Sequence, residues 1–154
     1  MRPRHPFALP AVGTNWLPIL RLSFSWMVVW LAGSRLAAYL RGGWFAYTHG
    51  AALIAGFVVI APLAEELLFR GTLYELTERS FTGSSTAAIW LTSVFFCLQH
   101  FQLHGYHADR AALTQVAFTF PTGLVFATLR CRSQSIWPSY VLHILTNLPG
   151  AFGK

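Results

Sequence analysis

Short polar breaks divide the chain into five apolar runs, and this alternation restricts its possible folds more than any other feature. The runs are Trp16 to Leu40, a stretch from near Ala51 into a pair of glutamates, Ala87 to Leu103, Ala111 to Leu129 and Ser135 to Phe152. Several lie near the lower limit of the roughly 17–25 residues that a helix needs to cross a bilayer. In lipid every backbone N–H and C=O must be satisfied within the protein. Nothing here alternates as a closed barrel would, so helices are the remaining solution. The sequence therefore predicts an all-α fold, a polytopic integral membrane helical bundle of about five hydrophobic segments. Residues 1–50 form a basic N-terminal segment with the first transmembrane helix, and residues 51–150 form a helical core.

Composition agrees: 55% of residues are apolar and 10% charged, against about 25% charged in ordinary soluble domains. The net charge of +6 does not indicate nucleic acid, because the basic residues are scattered at segment ends. That distribution fits membrane topology and anionic headgroups. With five crossings and the N-terminus inside, Arg2, Arg4, Arg21, Arg79, Arg130 and Arg132 fall on the inner side, and Arg35, Arg41, Arg110 and Lys154 on the outer. The balance leans toward N-inside. The opening MRPRHPFALPAVGTNWLP has neither a long apolar run nor a small-x-small cleavage site, so Arg2 and Arg4 read as topological charges rather than part of a signal peptide. Cys97 and Cys131 make neither a disulfide scaffold nor a thiolate metal site.

The polar residues inside the apolar runs carry the functional argument, since ionisable groups in lipid are costly and usually functional. In IAPLAEELLFRGTLYE, Glu66 and Arg70 stand four apart with the acid first, the favourable helical order for a pair. Glu65 lies roughly 100° around the helix and has no local partner. A carboxylate held there is a natural general base for a water. The plain structural reading is an ion pair at a helix end, but Arg70 does not account for both glutamates. Pro62 predicts a kink, or a boundary between two helices. Ser84 or Ser85 is a plausible helix cap after the SFTGSST loop.

FFCLQH places Phe96 and His100 on one helical face. His104 and His107 extend that face into a polar break, where surface histidines are ordinary and a local zinc site is an alternative. In HILTN, His143 and Asn147 lie one turn apart within an apolar helix and require partners from another helix. The fourth run is interrupted by Pro121 and Gly123.

Glutamates, two separated histidines and an asparagine can hydrolyse a peptide bond in two ways. Glu65 can take a proton from water while His143 and Asn147 stabilise the oxyanion. Alternatively, His100 and His143 bind zinc, with a glutamate as ligand or base. HExxH, GxSxG, a Cys–His pair and a phosphate loop are all absent from the sequence.

Three ordered motifs, Glu65-Glu66-Leu-Leu-Phe-Arg70, Phe96-Cys-Leu-Gln-His100 and His143-Ile-Leu-Thr-Asn147, resemble those of the CPBP family of membrane-embedded proteases, the CAAX-protease and bacteriocin-processing family. The resemblance covers roughly residues 51–150. It implies an endopeptidase in which Glu65 activates water, His100 holds the water or transition state, His143 and Asn147 bind the oxyanion, and Glu66 and Arg70 support the site. Phe96 belongs to the supporting set. No cofactor is favoured; in a zinc-dependent version His100 and His143 would be the ligands. The implied partners are a peptide or protein tail in or near the membrane and the bilayer itself, with no nucleic acid, and the implied location is the bacterial inner membrane. Two other readings are a non-catalytic immunity or scaffold protein and a proton-pathway subunit.

One geometric tension remains at this level. If residues 51–73 and 86–103 were simple antiparallel crossings, Glu65 and His100 would differ in depth by roughly 15 Å at 1.5 Å per residue. The expected resolution is a kinked or re-entrant glutamate-bearing segment, with one helix ending near Pro62 and a cavity-lining helix starting at the glutamates.

Overall fold

A computed structural model describes residues 5, 7–11, 13–41, 54–101 and 107–152. Among the described residues there are five helices and no strand: α1 Trp16–Arg41, α2 residues 54–80, α3 Ser85–Gln99, α4 Arg110–Ser133 and α5 Trp137–Phe152. The all-helical expectation holds. Of the five expected spans, the described residues support two by length and composition. Among the described residues two helices are long and apolar enough to cross a membrane, α1 over Trp16–Leu36 and α4 over Arg110–Ser133. The others fall short for physical reasons: α3 has 15 residues and α5 has 16, while α2 is interrupted by Glu65, Glu66, Arg70, Glu75, Glu78 and Arg79. Along α1, Leu20, Phe24 and Val28 project outward, more than half exposed, the surface expected of a helix bathed in lipid.

The helix does not end at Pro62. It runs unbroken from 54 to 80, and Ile60 and Ala61 keep right-handed helical angles. Two π-helical stretches, Gly56–Ile60 and Leu67–Leu73, flank the segment Ala61–Glu66. The first explains how proline is accommodated. Ala61 donates its N–H to the Gly56 carbonyl, five residues back. Pro62 has no N–H to continue that pattern to Phe57, and the Asn147 side chain donates to the Phe57 carbonyl instead, at 3.2 Å. The Tyr140 hydroxyl donates to the Val59 carbonyl at 3.3 Å. Helix α5 thus supplies donors to the widened turns of α2.

Pro121 and Gly123 likewise fail to break α4, which is one helix from Arg110 to Ser133. Threonine hydroxyls cluster around the proline: Thr119 donates to the Gln115 carbonyl at 2.9 Å and Thr122 to the Phe118 carbonyl at 2.6 Å. Such side chains help a lipid-embedded helix tolerate proline. Gly123 is there because α3 passes close by. A Cβ at 123 would stand 3.1 Å from the Ser93 Cα and 3.2 Å from the Phe96 ring. The caps follow the sequence: Ser84 accepts from the Ala87 N–H at 3.2 Å, and Asp109 accepts from the Ala112 N–H at 2.7 Å.

Helix α2 packs on α3 and α5, α4 lies behind both, and α1 packs on α4 and α5. Phe69, Phe96, Phe126, Leu129 and Leu142 form the core between them, joined by Ile19 of α1. This arrangement removes the depth mismatch. Glu65 lies fifteen residues before the end of α2 at Ser80, and His100 fifteen after the start of α3 at Ser85. Because the two helices run antiparallel out of the same short loop, both residues reach the same level. The pairing of Phe69 with Phe96, ring centres 5.4 Å apart, fixes that register. No break in α2 is required.

Candidate active site

The site is built around a buried carboxylate on α2. Glu66 and Arg70 are both fully buried, with Arg70 Nη1 3.4 Å from Glu66 Oε1. The same oxygen lies 3.1 Å from His143 Nδ1 of α5. Arg70 also donates through Nη2 to the Gly123 carbonyl at 3.3 Å. Burying an ion pair is favourable only when further hydrogen bonds satisfy both partners. Here His143 and the Gly123 carbonyl satisfy the pair in part, while Glu66 Oε2, Arg70 Nε and Arg70 Nη1 have no hydrogen-bond partner among the described residues. The guanidinium is also held between aromatic faces, 4.2 Å from the centre of Phe96, 5.2 Å from Phe126 and 5.8 Å from Phe69.

Glu65 differs from its neighbour in exposure and in bonding. Its side chain retains 27% exposure, and His143 Nε2 stands 3.7 Å from its Oε2. That separation is too long for a direct hydrogen bond and too short for a water to lie between the two atoms. Glu65 Oε2 has no hydrogen-bond partner among the described residues. His143 therefore faces a carboxylate with each ring nitrogen, a pinned one through Nδ1 and an uncommitted one through Nε2.

Phe96 joins the two histidines. Its ring packs edge-on against His100, centres 5.0 Å apart, and against His143 at 5.8 Å. His100 caps α3, its Nδ1 2.7 Å from the Phe96 carbonyl, and lies within electrostatic reach of Glu65, His143 and Arg70. With Nδ1 engaged by that carbonyl as a donor, Nε2 is left as an acceptor in the neutral ring.

The structure thus brings together Glu65, Glu66, Arg70, Phe96, His100 and His143. Asn147 is one turn from His143 on α5, and its amide is directed at the Phe57 carbonyl. His104 lies outside the described residues, and His107 is exposed. Among the described residues no three His, Cys, Asp or Glu side chains converge as a metal-ligand set. Sequence reasoning missed Gly123, Phe126 and Arg130. Arg130 is almost fully buried and donates from Nε to the Arg70 carbonyl at 3.0 Å, yet in sequence it looks like its exposed neighbour Arg132.

An all-helical membrane protein with a carboxylate–histidine cluster in its interior is the class that this fold and site define. The chain belongs to the Type II CAAX prenyl endopeptidase Rce1-like family, whose model matches residues 47–149. No curated protein and no solved structure matches it. Family membership and the buried glutamates together support a CAAX-protease-like hydrolase.

Proposed function

We propose that the chain is a membrane-embedded endopeptidase that cuts a membrane-associated protein tail with a water activated by Glu65. The observation that carries this reading is the unequal treatment of the two glutamates by His143. Glu66, ionised against Arg70, accepts from His143 Nδ1–H and fixes the ring. Nε2 is then left facing Glu65 Oε2.

In this reaction a water held by Glu65 attacks the scissile carbonyl as Glu65 takes its proton. The oxyanion that forms is stabilised by donors on α5, the second amide hydrogen of Asn147 and, with the imidazole carrying a proton on each nitrogen between the two glutamates, His143 Nε2–H. His100 holds the water or the tetrahedral species. Glu65 returns its proton to the leaving amine, completing acid–base catalysis with a single carboxylate. Glu66, Arg70 and Phe96 orient these groups. The family name points to prenylated CAAX tails as the substrate class. A bacterial inner-membrane location and tails of other proteins belong to the same proposal.

The test uses the purified protein in liposomes with two peptides, one farnesylated and ending in a CAAX sequence, the other unprenylated with an apolar C-terminal helix. Cleavage of either, lost in Glu65→Gln and retained after exhaustive chelation, supports the reading. Activity lost on chelation and restored by zinc would transfer His100 and His143 to the role of metal ligands. Full activity in E65Q, or no cleavage of either peptide, overturns it in favour of a non-catalytic membrane protein.

A further inference from the structure

We propose that Arg130 is a positioning residue: its hydrogen bond to the Arg70 carbonyl holds the widened turn of α2 that aims Glu65 and Glu66 at His143. The proposal rests on the hydrolase reading above and concerns a residue outside the three motifs.

Arg130 stands near the end of a membrane helix, where a long basic side chain ordinarily extends to the interface. Arg132, two residues on, is exposed. Arg130 instead turns inward with 3% exposure, its guanidinium carbon 5.3 Å from the centre of the Tyr74 ring. Burying a cation is costly without good partners. Its partners are the Arg70 carbonyl at 3.0 Å from Nε and Glu75 Oε1 at 3.4 Å from Nη2. Charge pairing alone does not explain the arrangement, because Glu75 also pairs with Arg79 at 3.3 Å, a side chain 70% exposed.

The backbone explains why that carbonyl takes a side-chain donor. In an α-helix the Tyr74 N–H would bond to Arg70, four residues earlier. At the end of the π-helical stretch Leu67–Leu73 it bonds to the Phe69 and Gly71 carbonyls instead. Arg130 occupies the carbonyl that Tyr74 has passed over. Without it, the simplest way to satisfy Arg70 is the ordinary α-helical bond, which removes the extra residue from the turn. One residue is worth roughly 100° of helical rotation. The far end of α2 is anchored by Tyr74, packed with Ala88 and Ala127, and by Ser85 donating to Glu78 at 2.7 Å. The glutamates therefore turn away from His143.

Lysine can hold one of the two acceptors, and glutamine at 75 keeps an oxygen for Nη2 while removing the charge pair. The experiment compares Arg130→Gln, Arg130→Lys and Glu75→Gln in liposomes, by steady-state cleavage of the two peptides above and by amide hydrogen exchange over residues 67–75. In R130Q, kcat should fall on the order of 100-fold, the cost of slight misplacement of reacting groups, with KM unchanged and exchange in the segment accelerated. R130K should recover part of the rate, and E75Q should match the wild type in both readouts. Wild-type kcat and exchange in R130Q overturn the proposal, as do equal losses in R130Q and E75Q, which would make Arg130 one half of a structural ion pair. If the wild type cuts neither peptide, the hydrolase reading fails by itself, and the exchange comparison still decides whether Arg130 sets the turn.

Discussion

His143 Nδ1 lies 3.1 Å from Glu66 Oε1, and this contact gives two adjacent glutamates different chemistry. Glu66 is held by a cation and an imidazole in the interior. Glu65 keeps partial exposure and an oxygen with no hydrogen-bond partner among the described residues. Exchanging either carboxylate for its amide should have distinct consequences.

Glu65→Gln is expected to abolish cleavage and leave thermal stability close to that of the wild type. Glu66→Gln should lower stability by about 3–5 kcal/mol, because Arg70 is left as a buried uncompensated cation. Parallel thermal unfolding and peptide cleavage measure both, and a reversed pattern would move the base to Glu66.

Arg70→Lys should be poorly tolerated despite the retained charge. The guanidinium reaches Glu66 and the Gly123 carbonyl together while stacked on Phe96, and an ammonium has no planar fork to do so. Unfolding midpoints in detergent below those of the wild type, with loss of cleavage, are the expected result.

His143→Ala should remove cleavage as completely as E65Q does. His143→Asn offers a donor near Nδ1 but nothing at Nε2, so it should restore folding without turnover. Restored turnover in H143N would assign His143 a purely structural task.

Gly123→Ala should cost about 1–3 kcal/mol, the usual range for overpacking. The new methyl meets Ser93 Cα at 3.1 Å, a backbone atom that cannot rotate away. Reduced thermal stability, accompanied by weaker activity through the Gly123–Arg70 bond, checks this.

The helical class and the polar cluster could be read from the sequence because both depend on residue type and spacing. The Glu66–Arg70 pair is an i,i+4 relation and appears as expected. Pro62 and Pro121 misled because proline removes a donor without having to end a helix: Asn147 of α5 donates to the Phe57 carbonyl beside Pro62, and α4 continues through Pro121 with threonine hydroxyls bonded to the neighbouring Gln115 and Phe118 carbonyls. The widened turns of α2 are equally invisible to spacing arguments, since an i→i+5 bond leaves no pattern of its own in apolar residues. Arg130 was hidden because burial of a helix-end arginine depends on which carbonyl faces it, a tertiary fact. The apparent depth mismatch came from measuring segments by their outer ends, when the shared loop is the proper origin.

That origin has an evolutionary corollary. With Glu65 and His100 placed by equal counts from residues 81–84, the loop can lengthen or shorten freely while the two catalytic candidates stay level. A single-residue insertion within either arm displaces one of them along and around its helix, and a matching insertion in the other arm restores the level but not the facing. Length variation among related chains should therefore concentrate in that loop, with the two arms held to fixed counts.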